Sequence, residues 1–358
     1  MAGGSGTRLW PMSTGEQPKQ LIPFVNGKSL LQVAFERLEG LVDMDKRYIC
    51  AGYSHKEKIL EGLKGFSEDQ FIGEPTGRDT LNALAYSSAV LNSIDPDAVM
   101  AVFTADHIIE PVSEFLKIVD QGYRIAEQYD DTLVTFGIKP EHPATGFGYL
   151  ELGSVLDGNA RVLRRFKEKP DLEQAEAYLE AGPEKYLWNS GMFVWKASTL
   201  LECVRKYEPE TYADIMKITD ALGSSSFETT LSDIYPGLKK NSIDFAVMEP
   251  SSKDPEYTVA AVPMPLTWLD IGSWTAYGDI CGSDSEGNRF GLKNSLLVDS
   301  SNNTLASEVD DHLIAGLGID NLIVIHTPRA TLICPKDRDQ DIKELYQAVK
   351  DKYGDEFI

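Results

Sequence analysis

GGSGTRLWP, residues 3–11, is the most informative stretch of this sequence, because glycine fills three of its first four positions. Glycine has no Cβ atom, so the backbone N–H groups of such a loop can approach an anion closely. Thr7 adds a hydroxyl donor, and Arg8 adds a guanidinium whose planar fork suits phosphate. The stretch therefore predicts a phosphate-binding loop, and a loop of this kind normally follows a buried strand of a parallel α/β sheet.

Two other glycine-loop patterns fit the sequence poorly. Leu9 stands where the pattern G-x-G-x-x-G needs its last glycine, and the P-loop-like Gly27-Lys28-Ser29 lacks its first glycine, which is Ile22 here. We interpret that tripeptide as a turn followed by a helix cap. The plain alternative for the glycine loop is an ordinary strand-to-helix turn. Only Met1 and Ala2 precede the loop, so we expect the first strand of the sheet to be truncated.

Downstream of the loop, apolar runs with strand character alternate with helical patterns up to residue 140. Such alternation predicts an α/β fold with a doubly wound, mostly parallel sheet of Rossmann-like form. After residue 288, short apolar runs separated by Asn, Asp and Gly predict a small, solenoid-like C-terminal β unit, and residues 337–352 predict a terminal helix. We therefore divide the chain into a large domain, residues 1–285, and a C-terminal unit, residues 286–358.

The composition excludes some classes of ligand and partner for this protein. The chain has 358 residues, with 34 Lys and Arg against 56 Asp and Glu, a formal net charge of −22. Such an acidic chain repels nucleic acid and anionic membrane surfaces, so an anionic ligand needs a local cationic pocket or a metal. The four cysteines form no C-x-x-C pair, which argues against a disulfide scaffold or a thiolate zinc site. With no signal-peptide pattern and no apolar run as long as a membrane span, we expect a cytoplasmic protein.

The glycine loop and the Pro18-Lys19-Gln20 that follows it closely resemble the sugar-1-phosphate nucleotidylyltransferases. The Leu-Trp-Pro ending of the loop resembles the mannose-1-phosphate guanylyltransferase branch of that family. Further matching motifs follow in the family's order: Gly73-Glu74-Pro75, Gly77-Arg78-Asp79-Thr80, Ala105-Asp106-His107-Ile108, Thr145-Gly146-Phe147-Gly148-Tyr149, Phe166-Lys167-Glu168-Lys169-Pro170, Trp188-Asn189-Ser190-Gly191-Met192-Phe193, Ser242-Ile243-Asp244, Trp268-Leu269-Asp270-Ile271-Gly272-Ser273-Trp274 and Cys334-Pro335-Lys336-Asp337-Arg338. The resemblance spans nearly the whole chain, and many ordered motifs together are far more specific than any one of them.

This resemblance implies a transfer reaction. A guanylyl group would pass from GTP to mannose 1-phosphate, giving GDP-mannose and pyrophosphate, with residues 1–285 as the nucleotidyltransferase catalytic domain. One alternative is another hexose 1-phosphate or nucleotide, and a second is a non-catalytic homologue that binds a nucleotide sugar. Bifunctional relatives carry a further isomerase domain; here we expect the transferase alone, with the C-terminal unit as a candidate homodimer contact.

The resemblance also implies a magnesium site. Asp106 follows a buried apolar run, and Asp270 lies in a segment flanked by tryptophans. A carboxylate in such apolar surroundings suggests a functional role. Mg²⁺ takes one or two carboxylates together with water and substrate phosphates. The family's pattern assigns both acids to Mg²⁺, and the alternative for each is a turn or helix-cap role. No other histidine stands at a useful spacing from His107, so we expect that side chain to make local hydrogen bonds.

The remaining expected contacts fall into sets. The implied catalytic set is Arg8, Lys19, Asp106, Lys169 and Asp270. The implied nucleotide contacts are Ala2, Gly3, Gly4, Gly6, Thr7, Glu74 and Arg78. The implied hexose contacts are Gly146, Glu168 and Asn189, while Lys169 is expected to meet the sugar's phosphate. Lys169 lies in a run of basic residues, whose plain alternative is an exposed charged strand. Asp79 stands where the family usually has asparagine, and a helix N-cap is its alternative role.

Overall fold

A computed structural model describes residues 1–4 and 6–358, which leaves Ser5 of the glycine loop outside the described residues. Its α-helices are α1 (Leu30–Glu36), α2 (Lys56–Gly62), α3 (Asp79–Ile94), α4 (Val112–Gln128), α5 (Leu172–Ala181), α6 (Ala197–Tyr207), α7 (Pro209–Asp220), α8 (Phe227–Ile234), α9 (Glu249–Ser251), α10 (Trp274–Asp279) and α11 (Ile342–Tyr353). Its strands are β1 (Ile49–Gly52), β2 (Phe71–Glu74), β3 (Val99–Val102), β4 (His107–Glu110), β5 (Thr132–Ile138), β6 (Tyr149–Asp157), β7 (Ala160–Lys167), β8 (Tyr186–Lys196), β9 (Thr258–Pro263), β10 (Thr267–Asp270), β11 (Gly282–Ser283), β12 (Arg289–Gly291), β13 (Asn294–Val298), β14 (Thr304–Ser307), β15 (Leu313–Leu317), β16 (Leu322–His326) and β17 (Thr331–Pro335). Within the described ranges, no helix is both long enough and apolar enough to cross a membrane.

Six strands form the central sheet, in the order β3-β8-β5-β9-β7-β6. Its two faces pack on different cores. Leu133 of β5 belongs to a core that includes residues of α3, α6 and α7, whereas Val134 and Phe136 belong to a core that includes residues of α4. This alternation is what successive side chains of a strand produce when both faces of a sheet are covered. The central sheet is therefore sandwiched between two helical layers.

The central sheet is mixed, so the expectation of a mostly parallel, doubly wound sheet is wrong, whereas the α/β class is confirmed. Only β5 and β9 are parallel neighbours, and the other neighbouring strands are antiparallel. β6 and β7 are joined by the two residues Gly158 and Asn159, and so short a link allows only antiparallel pairing. β8 then enters between β3 and β5, antiparallel to both. It separates two strands that an unbroken β-α-β series would place side by side.

The first two residues lie between β3 and a separate parallel pair, β1 with β2. The Ala2 N–H donates to the Cys50 carbonyl at 2.9 Å, and the Met1 amino group donates to the Phe103 carbonyl at 2.9 Å. Burial lowers the pKa of that amino group below its ordinary value. A cavity of about 690 Å³ runs beside Met1 and is lined by residues of α1, β1 and β3. Met1 and Ala2 thus join β1 to β3 through only a few hydrogen bonds.

The C-terminal region is a stack of short strands. β12, β14 and β16 pair in parallel, as do β13 and β15, while β17 joins β16 in antiparallel orientation. Parallel pairing of successive short strands is the arrangement of a solenoid, as the sequence pattern predicts. In the turns, the Asn303 side-chain amide donates to Asn288 Oδ1 at 2.9 Å and to the Ile319 carbonyl at 2.8 Å. These asparagines satisfy polar groups that stacking would otherwise bury.

The glycine loop packs its apolar side against this C-terminal stack. Leu9 and Trp10 share a buried cluster with Ile323 and Ile325 of β16. The Trp10 indole N–H donates to the Phe357 carbonyl at 2.7 Å. The end of the chain therefore packs against the apolar side of the loop.

Candidate active site

Two strands distant in sequence bring Asp106 and Asp270 together. β4 and β10 pair in antiparallel orientation with Asp270 opposite His107, and the Ile271 N–H donates to the Asp106 carbonyl at 3.0 Å. As a result, one ligand atom from each of Asp106, His107 and Asp270 lies within 4.8 Å of the other two. The two acids expected to share a metal ion lie side by side, and their role as ligands stays a prediction.

Lys19 supplies positive charge to this cluster. Its Nζ lies 2.6 Å from Asp106 Oδ2, with the two side chains 11% and 20% exposed. The same Nζ donates to the Ile271 carbonyl at 3.4 Å. Burial raises the pKa of Asp106, but the charges of His107 and Lys19 outweigh burial and hold that pKa at about 2. Asp106 is therefore ionised at neutral pH, as a metal-binding carboxylate must be.

His107 lies beside the acids and makes its side-chain hydrogen bonds to other neighbours. The Trp268 indole N–H, which can only donate, points at His107 Nδ1 over 3.2 Å. Burial lowers the pKa of His107, which favours the neutral ring. Because Nδ1 accepts, the neutral ring carries its proton on Nε2, which lies 3.8 Å from Asp106 Oδ1. A protonated Nε2 cannot bind a metal, so the geometry favours the local role predicted for His107.

The donor set fits a hard divalent cation. With His107 occupied by its neighbours, the donors left to a metal are the carboxylate oxygens of Asp106 and Asp270. Two carboxylates, completed by water and phosphate oxygens, suit Mg²⁺ better than metals that prefer nitrogen or sulfur ligands. The Lys19 ammonium lies against Asp106, which shows that this pair of acids attracts positive charge.

The glycine loop adopts backbone conformations that favour glycine. Gly4 has φ of 110° and Gly6 has φ of 57°, both in the left-handed region. A Cβ atom on Gly6 would also collide with the Ser13 hydroxyl. The Gln20 side-chain amide donates to the Gly3 carbonyl, which ties the loop to the Pro18-Lys19-Gln20 motif. The loop shape thus depends on glycine and on a neighbouring glutamine.

The Arg8 guanidinium lies near Asp270 and the C-terminal region. Its Nη1 donates to Gln340 Oε1 at 2.8 Å. A Cβ atom on Gly272 would lie 3.2 Å from Arg8 Nη2 and 3.4 Å from Asp270 Oδ1, so the guanidinium and the carboxylate flank one glycine. Gln340 belongs to the C-terminal region, and no sequence pattern indicates that it would contact the predicted site.

Glu168, Lys169 and Asn189 form a second group of predicted site residues. Lys169 Nζ is 2.9 Å from Glu168 Oε1, and Lys169 has φ of 42°, an uncommon backbone conformation that is often found at functional sites. A Cβ atom on Gly148 would lie 2.5 Å from Glu168 Oε2 and 3.4 Å from Asn189 Cβ, whereas Gly146 has open space around it. A side chain at position 148 would therefore collide with Glu168, whereas the space beside Gly146 is open, and the hexose contact of Gly146 stays a prediction.

Two residues without a predicted role hold Asn189. Its Oδ1 accepts from the Thr135 hydroxyl at 2.8 Å, and its Nδ2 donates to Asp244 Oδ1 at 2.9 Å. Thr135 is a polar residue inside the apolar run of β5, and Asp244 belongs to a motif already noted. The position of Thr135 within an apolar run and the motif around Asp244 are the only signals in the sequence that point to these two residues.

Glu74 and Arg78 contact the segment that follows α8. The Tyr235 hydroxyl donates to Glu74 Oε1 at 2.7 Å, and the Arg78 guanidinium donates to the Pro236 carbonyl. Burial raises the pKa of Glu74. Asp79 is the first residue of α3, with φ of 70°, and is not its N-cap. The structure thus gives Glu74 and Arg78 partners within the chain, and their nucleotide contacts stay predictions.

Comparisons with known proteins agree with this architecture. Residues 1–286 match the family described as nucleotidyl transferase, and residues 293–348 match a MannoseP isomerase/GMP-like beta-helix domain. A mannose-1-phosphate guanylyltransferase of Klebsiella pneumoniae is 35% identical, with 100% of this chain and 74% of the relative covered. The xanthan biosynthesis protein XanB of Xanthomonas campestris is 35% identical, over 98% of this chain and 72% of the relative. A crystal structure from Thermus thermophilus, described as a mannose-1-phosphate geranyltransferase, has a TM-score of 0.84 at 28% identity and covers 98% of each chain. The resemblance inferred from the ordered motifs is confirmed.

Proposed function

The chain belongs to the nucleotidyl transferase family, and we propose that it transfers a guanylyl group from GTP to mannose 1-phosphate, giving GDP-mannose and pyrophosphate. Relatives that match nearly the whole chain carry this activity in their names. The observation that carries the proposal is the meeting of Asp106 and Asp270 beside Arg8 and Lys19. Acids and cations that converge next to a glycine loop suit the handling of a triphosphate.

The reaction needs positioning and charge neutralisation, with no general base. A phosphate oxygen of mannose 1-phosphate forms a bond to the α-phosphorus of GTP, and the bond from that phosphorus to the β-phosphate breaks. The nucleophile is already an anion at neutral pH, so no proton has to be removed. We expect Arg8, Lys19 and the loop amides to hold the triphosphate, and Lys169 to hold the sugar phosphate.

We infer that Asp106 and Asp270 would hold a Mg²⁺ ion. When bound, such an ion neutralises phosphate charge as it builds up during the transfer. Asp106 is suited to this task because its pKa is held at about 2. Glu168 and Asn189 are proposed to bind hexose hydroxyls, and Ala2, Glu74 and Arg78 to shape the nucleotide side. Residues 1–285 are proposed as the catalytic domain, supported by residues 286–358 behind the glycine loop.

The test replaces Asp270 and measures pyrophosphate release from GTP, mannose 1-phosphate and Mg²⁺. Asp270→Asn should lower the rate at least about a hundredfold while the fold stays intact, because one metal-binding oxygen is replaced by a weakly binding amide. Asp220→Asn, at an exposed acid at the end of α7, is the matched control. Near-normal release by the Asp270 variant would refute the metal role.

A substrate panel tests the choice of base and sugar. Each common nucleoside triphosphate is paired with mannose 1-phosphate and with glucose 1-phosphate, and we expect GTP with mannose 1-phosphate to give the highest kcat/KM. Preference for another pair would overturn the substrates and leave the family in place. Tight binding of GDP-mannose without any pyrophosphate release would favour a binding protein instead.

A further inference from the structure

Residues 235–244 connect the residues expected to bind the nucleotide (the nucleotide side) with those expected to bind the hexose (the sugar side). At one end the Tyr235 hydroxyl donates to Glu74, and at the other end Asp244 accepts from Asn189 Nδ2 at 2.9 Å. Asp244 opens a short π-helix, Asp244–Met248, a rare geometry that is frequent at functional sites. Its carboxylate has no role in the transfer mechanism proposed above.

The contacts of Asn189 fix the direction in which its amide points. Oδ1 accepts from the Thr135 hydroxyl at 2.8 Å and from the Gly191 N–H at 3.3 Å, so the oxygen is committed. Nδ2 gives one hydrogen to Asp244 and has a second hydrogen to offer. An amide held on both sides can present that second N–H to a ligand at little entropic cost.

Asp244 also faces the charged groups of the sugar side. Burial and the charge of the neighbouring Glu168 together raise the pKa of Asp244 to about 7. Lys169 opposes this shift, and Asp79 is a further acid that acts on Lys169. Three acids therefore surround one ammonium, and the charge of Asp244 changes near neutral pH.

We propose that Asp244 is a positioning residue for the sugar phosphate, which fixes the Asn189 amide for a hexose hydroxyl and weakens substrate binding when it is ionised. A hexose 1-phosphate carries close to two negative charges at neutral pH. Ionisation of Asp244 adds a like charge beside Lys169, the group expected to meet that phosphate. This inference rests on the proposed function.

Two variants separate the contact from the charge. Asp244→Asn keeps an oxygen that accepts from Asn189 Nδ2 but removes the titrating charge. Asp244→Ala removes both. The measurement is the rate of pyrophosphate release from about pH 6 to pH 8.5, with KM determined separately for mannose 1-phosphate and for GTP. Asp220→Asn, at the exposed end of α7, is the matched control.

The charge predicts a change in the pH profile. In the wild-type chain, kcat/KM for mannose 1-phosphate should fall severalfold above about pH 7, because ionised Asp244 repels the substrate. In Asp244→Asn that fall should disappear. The substrate phosphate and His107 titrate in both proteins, so the comparison isolates Asp244. An unchanged fall in Asp244→Asn would overturn the charge effect.

The contact predicts a selective change in KM. Asp244→Ala should raise KM for mannose 1-phosphate roughly tenfold at every pH, the scale of one hydrogen bond, and leave KM for GTP within about twofold. Thr135→Val frees the same amide from its other side and should raise the same KM, which provides a second test if Asp244→Ala fails to fold. Equal rises in both KM values, or none, would overturn the positioning role. A wild-type chain that releases no pyrophosphate would overturn the proposed function itself, whereas an active wild type with indifferent variants would overturn only this inference.

Discussion

Replacing Lys19 with methionine tests how the buried carboxylate of Asp106 is stabilised. Methionine keeps much of the length and apolar volume of the lysine stem and removes only the ammonium that lies 2.6 Å from Asp106 Oδ2. At neutral pH His107 is uncharged, so Lys19 is the cation paired with Asp106. The variant therefore leaves a mostly buried carboxylate without its counter-charge.

The magnitude follows from the pKa of Asp106. A shift from 3.8 to about 2 corresponds to roughly 2.4 kcal/mol, at about 1.36 kcal/mol per pKa unit, and this is an upper bound for Lys19 because the charge of His107 also contributes to the shift. Because the folded-state pKa is lowered, this stabilisation is present above the unfolded-state pKa of 3.8 and is lost as the pH falls toward 2. Removing one partner of a fully buried pair costs about 3–5 kcal/mol. Partial exposure lowers that cost, so we expect Lys19→Met to lose about 2–3 kcal/mol of unfolding free energy near neutral pH.

Urea unfolding of four proteins measures this loss: wild type, Lys19→Met, Asp106→Asn and the double variant. The coupling energy between the two sites should be about 2 kcal/mol. Lys28→Met is the matched control, because Lys28 Nζ also lies 2.6 Å from Glu36 Oε2, but those side chains are 49% and 45% exposed. That exposed pair should contribute under about 1 kcal/mol.

Added Mg²⁺ should stabilise Lys19→Met more than the wild type, since the variant has no ammonium competing for Asp106. A loss of stability in Lys19→Met no larger than that in Lys28→Met would refute the pairing of Lys19 with Asp106. An equal cost of Asp106→Asn with and without Lys19 would refute it as well.

Two further predictions address the ends of the chain. Gln340→Ala removes the hydrogen bond to Arg8, so steady-state kinetics should show KM for GTP raised about threefold with an unchanged thermal midpoint; an unaltered KM would show that the contact does not orient the guanidinium. Adding about five apolar, β-forming residues before Met1 should raise the thermal midpoint by several degrees. The added strand would fill the 690 Å³ cavity and pair with β1 and β3. It would also replace the buried amino group of Met1 with an amide that still donates to the Phe103 carbonyl. A Gly-Ser extension of equal length is the control for that measurement, and equal midpoints would show that the cavity beside Met1 does not accept a strand.

Periodicity predicts many of the elements, because local patterns decide where helices and strands form. The helix expected after Ser29 is α1, and the Gln32 N–H donates to Ser29 Oγ at 3.1 Å, as a helix cap requires. The apolar run at residues 99–103 predicts a buried strand, and β3 lies there. The order of the strands in the sheet does not follow from such local patterns. The apolar run at residues 192–195 predicts the second half of β8, whereas Asn189 and its buried polar neighbour interrupt the pattern before it. No local pattern predicts that this strand pairs between β3 and β5.

The site shows the same division between local and long-range information. Asp106 and Asp270 each stand in a recognisable motif, yet their meeting depends on the register of β4 against β10, and no local pattern encodes the pairing of strands so distant in sequence. Charge explains why Lys19 lies beside Asp106. In a chain of net charge −22, a cleft for a triphosphate has to concentrate its cations. Lys19 can pair with Asp106 in the free site or with phosphate oxygens once Asp106 binds a metal, so one ammonium can neutralise charge in both states.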